Sequence, residues 1–259
     1  MLRLYSILIL CQMLSFTAFS QADAGGYFKE GFQLFTDGQY DAAIKNYNLA
    51  IGLDPSKSYY YFHRANALQA KGNKEQALKD YSKSNELKPN AESYYQIGLI
   101  KYDRKDSIGA LANFEQVRTI RDNFEKLYYY LGVLYFRTNK IDSSVSCLNR
   151  YTSSVKTNGD AYYYLALNKV KQNQYEEATG FLNKVLMYNN NDWHGYFKLY
   201  EVYMLMNKKE KALYNISMVI ELGQTKASYY LIRAELYDAL GYSEKAKEDR
   251  AFASSTVIK

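Results

Sequence analysis

The side chains that could do chemistry are few and far apart. The chain has 2 histidines, His63 and His194, and neither belongs to an HExxH pair or stands near a CxxC, so metal-ligand spacing is missing. A partly buried, hydrogen-bonded structural role is expected for His63, and an exposed one for His194, which follows Trp193. Cys147 lies between Ser146 and Leu148, a setting for a small apolar filler; an activated thiol needs basic, exposed surroundings. Glu176 and Glu177 occupy adjacent helix positions that point apart, so paired-carboxylate acid–base chemistry is not expected. There is no GxSxG elbow, no phosphate-cradling glycine loop and no dinucleotide fingerprint. The expectation is a protein that is not an enzyme and uses no cofactor and no metal.

Those isolated groups sit in a chain organised as an array. Tyr27 to Pro55 reads as two short amphipathic helices joined by a tight turn, and the rest of the chain repeats that unit. Tyr27 recurs as Tyr61, Tyr94, Tyr128, Tyr162, Tyr196 and Tyr230, in steps of 34 residues with a single step of 33. Ala43 recurs as Ala77, Ala110, Ser144, Ala178, Ala212 and Ala246 with the same irregularity in the same place. Two columns sharing one irregularity mark an internal repeat. A small-residue column, Gly31, Ala65, Gly98, Gly132, Ala166, Tyr200 and Ala234, allows close helix approach, and a locally wider gap is expected at Tyr200. The second helices pack through Tyr47, Tyr81, Phe114, Leu148, Leu182 and Ile216, with Arg250 breaking the pattern in the last unit. The turn column is Gly38, Gly72, Lys105, Asn139, Asn173, Asn207 and Gly241. Glycine and asparagine tolerate the left-handed conformation that ends a helix, so Lys105 alone does not fit.

With 47% hydrophobic residues, 23% charged and 2 prolines, the chain has the composition of a folded protein. Its 29 tyrosines suggest rings that pack while their hydroxyls reach water. The net charge of +6 is spread as lysines among acidic residues, without the basic stripe that nucleic-acid binding requires. Residues 1–20 differ: Arg3, a mostly apolar Leu4–Leu14, then Ala18-Phe19-Ser20 before Gln21, the layout of a secretory signal peptide cleaved near Ser20/Gln21. Ser6, Gln12, Ser15 and Thr17 interrupt that run, which falls short of the roughly 20 residues a spanning helix needs, so no stable membrane span is expected after cleavage. Export to the periplasm or outside the cell is expected, in a bacterial envelope. Cleavage removes Cys11 and leaves Cys147 without a disulfide partner. Residues 21–259 are expected to form a single domain of seven repeats, 24–57, 58–90, 91–124, 125–158, 159–192, 193–226 and 227–259. Asn215-Ile216-Ser217 fits the N-glycosylation pattern but falls inside a packed helix of the array.

Unit one carries Tyr27, Gly31, Ala43, Tyr47, Ala50 and Pro55 in register, and unit four carries Tyr128, Leu131, Gly132 and Tyr135. These columns resemble the tetratricopeptide repeat family over essentially the whole mature chain. The departures are Tyr200, Arg250, Tyr151 and the absence of a unit-closing proline after Pro89. The resemblance implies an all-α fold, a right-handed superhelical solenoid of antiparallel helix pairs whose first helices line a concave groove. Its groove positions map onto Phe28, Phe32, Phe62, Asn66, Tyr95, Leu99 and Tyr102, then Tyr129, Val133, Phe136, Arg137, Tyr163, Leu167, Phe197 and Glu201. Such a face suits a peptide with an apolar or aromatic anchor, or an amphipathic helix. For Phe28, Phe62, Tyr95, Tyr129, Tyr163 and Phe197 a second reading stands, in which the ring covers a neighbouring helix. Phe28 and Phe32 stand where one subclass of the family grips a terminal carboxylate with Lys and Asn, so that clamp is not expected. The function expected is a protein–protein interaction scaffold with a protein or peptide partner and no nucleic acid. The alternatives are a self-assembling, homo-oligomeric envelope component and a sensor input module.

Overall fold

The computed structural model describes residues 23–256; the segment expected to direct export lies outside the described residues. Among them are fourteen α-helices and no strand. They fall into two compact units that divide between Lys105 and Asp106. Unit one holds α1 (Ala24–Thr36), α2 (Tyr40–Leu53), α3 (Ser58–Ala70), α4 (Lys74–Leu87) and α5 (Ala91–Asp103). Unit two holds α6 (Ser107–Ile120), α7 (Glu125–Arg137), α8 (Ile141–Ser154), α9 (Gly159–Lys171), α10 (Tyr175–Tyr188), α11 (Trp193–Leu205), α12 (Lys209–Glu221), α13 (Ala227–Ala239) and α14 (Ser243–Thr256). Within each unit consecutive helices pack on one another, and the short turns between them impose antiparallel neighbours.

The turn column sets where first helices stop. Gly38, Gly72, Lys105, Asn139, Asn173, Asn207 and Gly241 all have φ between 54° and 85°. At six of the seven the residue after the turn closes the helix behind it: Gln39 N–H donates to the Leu34 carbonyl at 2.8 Å, and Lys140 N–H to that of Tyr135 at 2.8 Å. Lys105 adopts φ 62° like the rest, contrary to the expectation from its side chain. The tight turn overrides residue preference there, at a backbone cost of roughly 1–2 kcal/mol.

The Ala43 column is the axis of packing. All of its members, Ser144 included, are fully buried, and so are Tyr47, Tyr81, Phe114, Leu148, Leu182 and Ile216 on the same second helices. Removing each such large apolar side chain from water stabilises the fold by about 1.5–3 kcal/mol. The small column explains how they fit. A Cβ on Gly132 would lie 2.5 Å from Leu148 Cγ, and one on Gly31 would lie 2.9 Å from the Tyr47 ring. Arg250 is exposed and pairs with Asp238.

Two polar residues that break buried apolar columns find each other. Asn168 Nδ2 donates to Ser144 Oγ at 2.8 Å and to the Tyr164 carbonyl at 2.8 Å, while Ser144 Oγ donates to the Gly132 carbonyl at 2.7 Å. The pairing satisfies the Asn168 donor and the Ser144 hydroxyl and fixes the register between α8 and α9, while Asn168 Oδ1 has no hydrogen-bond partner among the described residues. Cys147 is buried and free, and burial pushes its thiol up to about 11, so it packs as the inert filler expected.

Candidate functional site

In unit one the first helices gather rings around His63. Its imidazole lies 5.1 Å from Phe28, 5.4 Å from Phe32 and 5.3 Å from Phe62, centroid to centroid. No hydrogen bond to His63 is found among the described residues, so the hydrogen-bonded role expected of it gives way to ring packing. Burial there depresses its pKa below the ordinary histidine value. Phe28 also meets Tyr59 at 4.9 Å and Tyr60 at 5.3 Å, and Phe62 meets Tyr81 at 5.9 Å. Phe28 and Phe62 are therefore half-buried packing rings, whereas Phe32 is 44% exposed.

Asn66 is held from below: Tyr81 Oη donates to Asn66 Oδ1 at 2.6 Å, with Gln69 Oε1 3.0 Å away. Tyr47 occupies the corresponding place one repeat earlier and is equally buried, but its hydroxyl has no partner among the described residues. Phe32 and Phe35 stand where Asn66 and Gln69 would have accepted its proton. Burial pushes the Tyr47 phenol up to about 12. Tyr95, Leu99 and Tyr102 on α5 are half-buried.

In unit two, Tyr129 packs against Tyr130 and Tyr151, and Phe136 meets the edge of Tyr164 at 5.5 Å with Lys171 Nζ 4.8 Å over its face. Arg137 is exposed and Leu167 half-buried. Val133 is fully buried and cannot touch a partner, which corrects its assignment to the groove. Its short branched side chain is outreached by Tyr129 and Phe136, which share its helix face at i−4 and i+3.

Phe197 and Glu201 come together in a pocket of about 670 Å³ built from α9, α11 and α13, the first helices of three consecutive repeats. Val170, Tyr200, Met204, Leu205 and Ile232 complete its apolar wall, and Glu201 is ion-paired with Lys198 at the edge. Tyr200 takes the place of a small residue, lies 5.5 Å from Phe197 and faces this space. Tyr163 lines a separate pocket at the starts of α9 and α11. Sequence reasoning missed Val170 and Met204, although the i+7 spacing that selected Tyr102 and Phe136 leads to them from Tyr163 and Phe197.

The N-glycosylation match is closed off, since Asn215 is buried with Nδ2 donating to the Lys211 carbonyl at 2.8 Å. Among the described residues no group of three His, Cys, Asp or Glu side chains could hold a metal ion, and no helix is long and apolar enough to cross a membrane.

Stacked helical hairpins that present side chains from their first helices define an all-α repeat protein whose chemistry is that of a surface. Family models described as TPR repeat match residues 31–72, and models described as tetratricopeptide repeat match residues 58–90 and 160–186. The chain is a tetratricopeptide repeat protein. It is similar to photosystem I assembly protein Ycf3 of Acaryochloris marina, with 31% identity over 104 residues, 39% of this chain and 63% of that protein's length. Among solved structures it resembles the C-terminal part of a TPR repeat-containing protein from Cytophaga hutchinsonii (TM-score 0.68, 17% identity, 88% of this chain and 94% of that one). It also resembles YrrB, described as a TPR protein with an unusual peptide-binding site (TM-score 0.63, 20% identity, 68% of this chain and 92% of that one). At these identities the structural likeness concerns the fold.

Proposed function

We propose that the protein is a non-catalytic scaffold of the cell envelope that holds a protein partner against the first-helix face, through an apolar-anchored peptide or an amphipathic helix. The observation that carries this reading is the pocket among α9, α11 and α13. Its wall is apolar, Met204 and Leu205 are 40% and 57% exposed, and every lining residue comes from a first helix. An apolar pocket with a charged edge accepts a bulky side chain while the edge orients the backbone around it. The assembly role named for Ycf3 and the peptide-binding site named for YrrB are consistent with a partner of this kind. Envelope location rests on the N-terminal sequence.

The test is affinity capture from envelope fractions with the wild type, a Phe197→Ser/Met204→Ser variant and a Tyr214→Ser control. Tyr214 is 60% exposed on a second helix. The partner is expected to be lost with the pocket variant and kept with the control. Equal recovery by all three would remove the pocket from the reading.

A further inference from the structure

A pocket of about 590 Å³ at the starts of α9 and α11 has a different chemistry from the apolar one. Asp160, Asp192, Tyr163 and Tyr188 line it together with Thr157, Asn158, Asn189 and His194, and no lysine or arginine does, although the chain carries a net charge of +6. Asp160 is exposed and has no ion-pair partner among the described residues. Asp192 caps α11 through Oδ1, which accepts the His194 N–H at 3.1 Å and lies 3.4 Å from His194 Nδ1. Its Oδ2 is taken by no hydrogen bond among the described residues. Asn158 is already committed, with Oδ1 accepting the Ala161 N–H at 3.0 Å and Nδ2 donating to Tyr151 Oη at 3.1 Å. Asp160 and Asp192 are the only acidic or basic side chains of the lining apart from His194, and their oxygens accept and do not donate.

The rings add to the same preference. Tyr188 is held nearly parallel to Tyr162, with centroids 5.8 Å apart and planes 19° apart, and keeps 37% of its surface in solvent. Tyr163 is half-buried beside it in the lining. Aromatic faces attract cations through their quadrupoles, and carboxylates attract them by charge and by charge-assisted hydrogen bonds. We propose that this pocket takes a basic side chain, an arginine or a lysine, presented by a protein partner. An anionic or carboxylate-terminated segment would meet two carboxylates there and no compensating cation. The site is distinct from the apolar pocket, so the two proposals can fail separately.

The test titrates the full-length mature chain with acetyl-Gly-Arg-Gly-amide, monitored by amide NMR shifts, with the citrulline tripeptide as a neutral isostere and the glutamate tripeptide as an anion. Saturable shifts of the Gly159, Asp160 and His194 amides are expected with the arginine peptide at about 1 mM, and not with the other two. Asp160→Asn is expected to weaken binding about threefold, and Tyr188→Leu about threefold. Met204→Ser, in the other pocket, leaves the titration unchanged. Shifts of equal size with citrulline, absence of saturable binding, or unaltered affinity in both pocket variants would each overturn the proposal.

Discussion

The first two repeats carry the same tyrosine in the same fully buried slot and treat its hydroxyl in opposite ways. Tyr81 is met by Asn66 and Gln69, whereas Tyr47 has Phe32 and Phe35 at the corresponding positions and its hydroxyl goes without a partner among the described residues. A second difference runs alongside. In repeat two, Arg64 clamps Asp80 with two bonds of 2.6 and 2.7 Å, joining α3 to α4. Repeat one has Glu30 and Asn46 at those positions, and Asn46 bonds only its own helix, at the Ala42 carbonyl. The second repeat spends its polar side chains on holding its hairpin together. The first gives up a hydrogen bond and an ion pair, and gains an exposed phenylalanine over a bed of rings. A stack of nearly identical hairpins can thus divide its labour, with stability in one repeat and surface in the next.

That contrast can be broken most forcefully at Asp80. Asp80→Ala leaves Arg64 half-buried without its carboxylate, held only by Asn48 Oδ1 at 2.7 Å, and is expected to cost about 2 kcal/mol, less than a fully buried pair because Arg64 keeps some water and that bond. Urea denaturation against Asn46→Ala, the matching change in repeat one, checks it; equal costs would erase the distinction. Next in size is the hydroxyl itself. Tyr81→Phe is expected to cost about 1–2 kcal/mol by stranding its acceptors, while Tyr47→Phe is neutral or stabilising because it removes an unmet donor. The same loss in both would mean that Tyr47 has a partner.

Smaller effects sharpen the picture. The pKa of His63 is lowered in the folded state, so the unfolded chain takes up the proton more readily as the pH falls. The stability tied to its neutral form is present above the ordinary value of about 6.5 and is lost as pH falls through the lower folded value. His63→Leu should flatten that part of the stability–pH curve, and an unaltered curve would place the ring in water. Last, Phe32→Asn offers Tyr47 the acceptor that Asn66 offers Tyr81. Its melting temperature should match the wild type, a difference within about 0.5 kcal/mol; a large drop would show Phe32 holding the hairpin.

The fold was legible because its constraints repeat. Ala43 and its successors are buried in every repeat, and Tyr47 and its successors in all but the last, so a spacing rule finds them without coordinates. The turn column was legible for the same reason, and Lys105 was misjudged because side-chain preference is weaker than the closure of a three-residue connection. Surface residues obey no such rule. Val133, Leu167 and Glu201 share a register, yet their exposure depends on how far neighbouring rings reach, and that is settled only in three dimensions. The pocket at Tyr200 lies between repeats, where a departure from the pattern marks a place but not its shape. The unmet hydroxyl of Tyr47 becomes visible only beside Tyr81.

Whether the first-helix face is the one that meets the partner can be decided by photo-crosslinking in cells. A benzophenone amino acid would be placed at Met204, and separately at Tyr214 on the second helix, and the adducts identified by mass spectrometry. A protein adduct is expected from Met204 and none from Tyr214. The same adduct from Tyr214, with none from Met204, would contradict a partner held on the first helices.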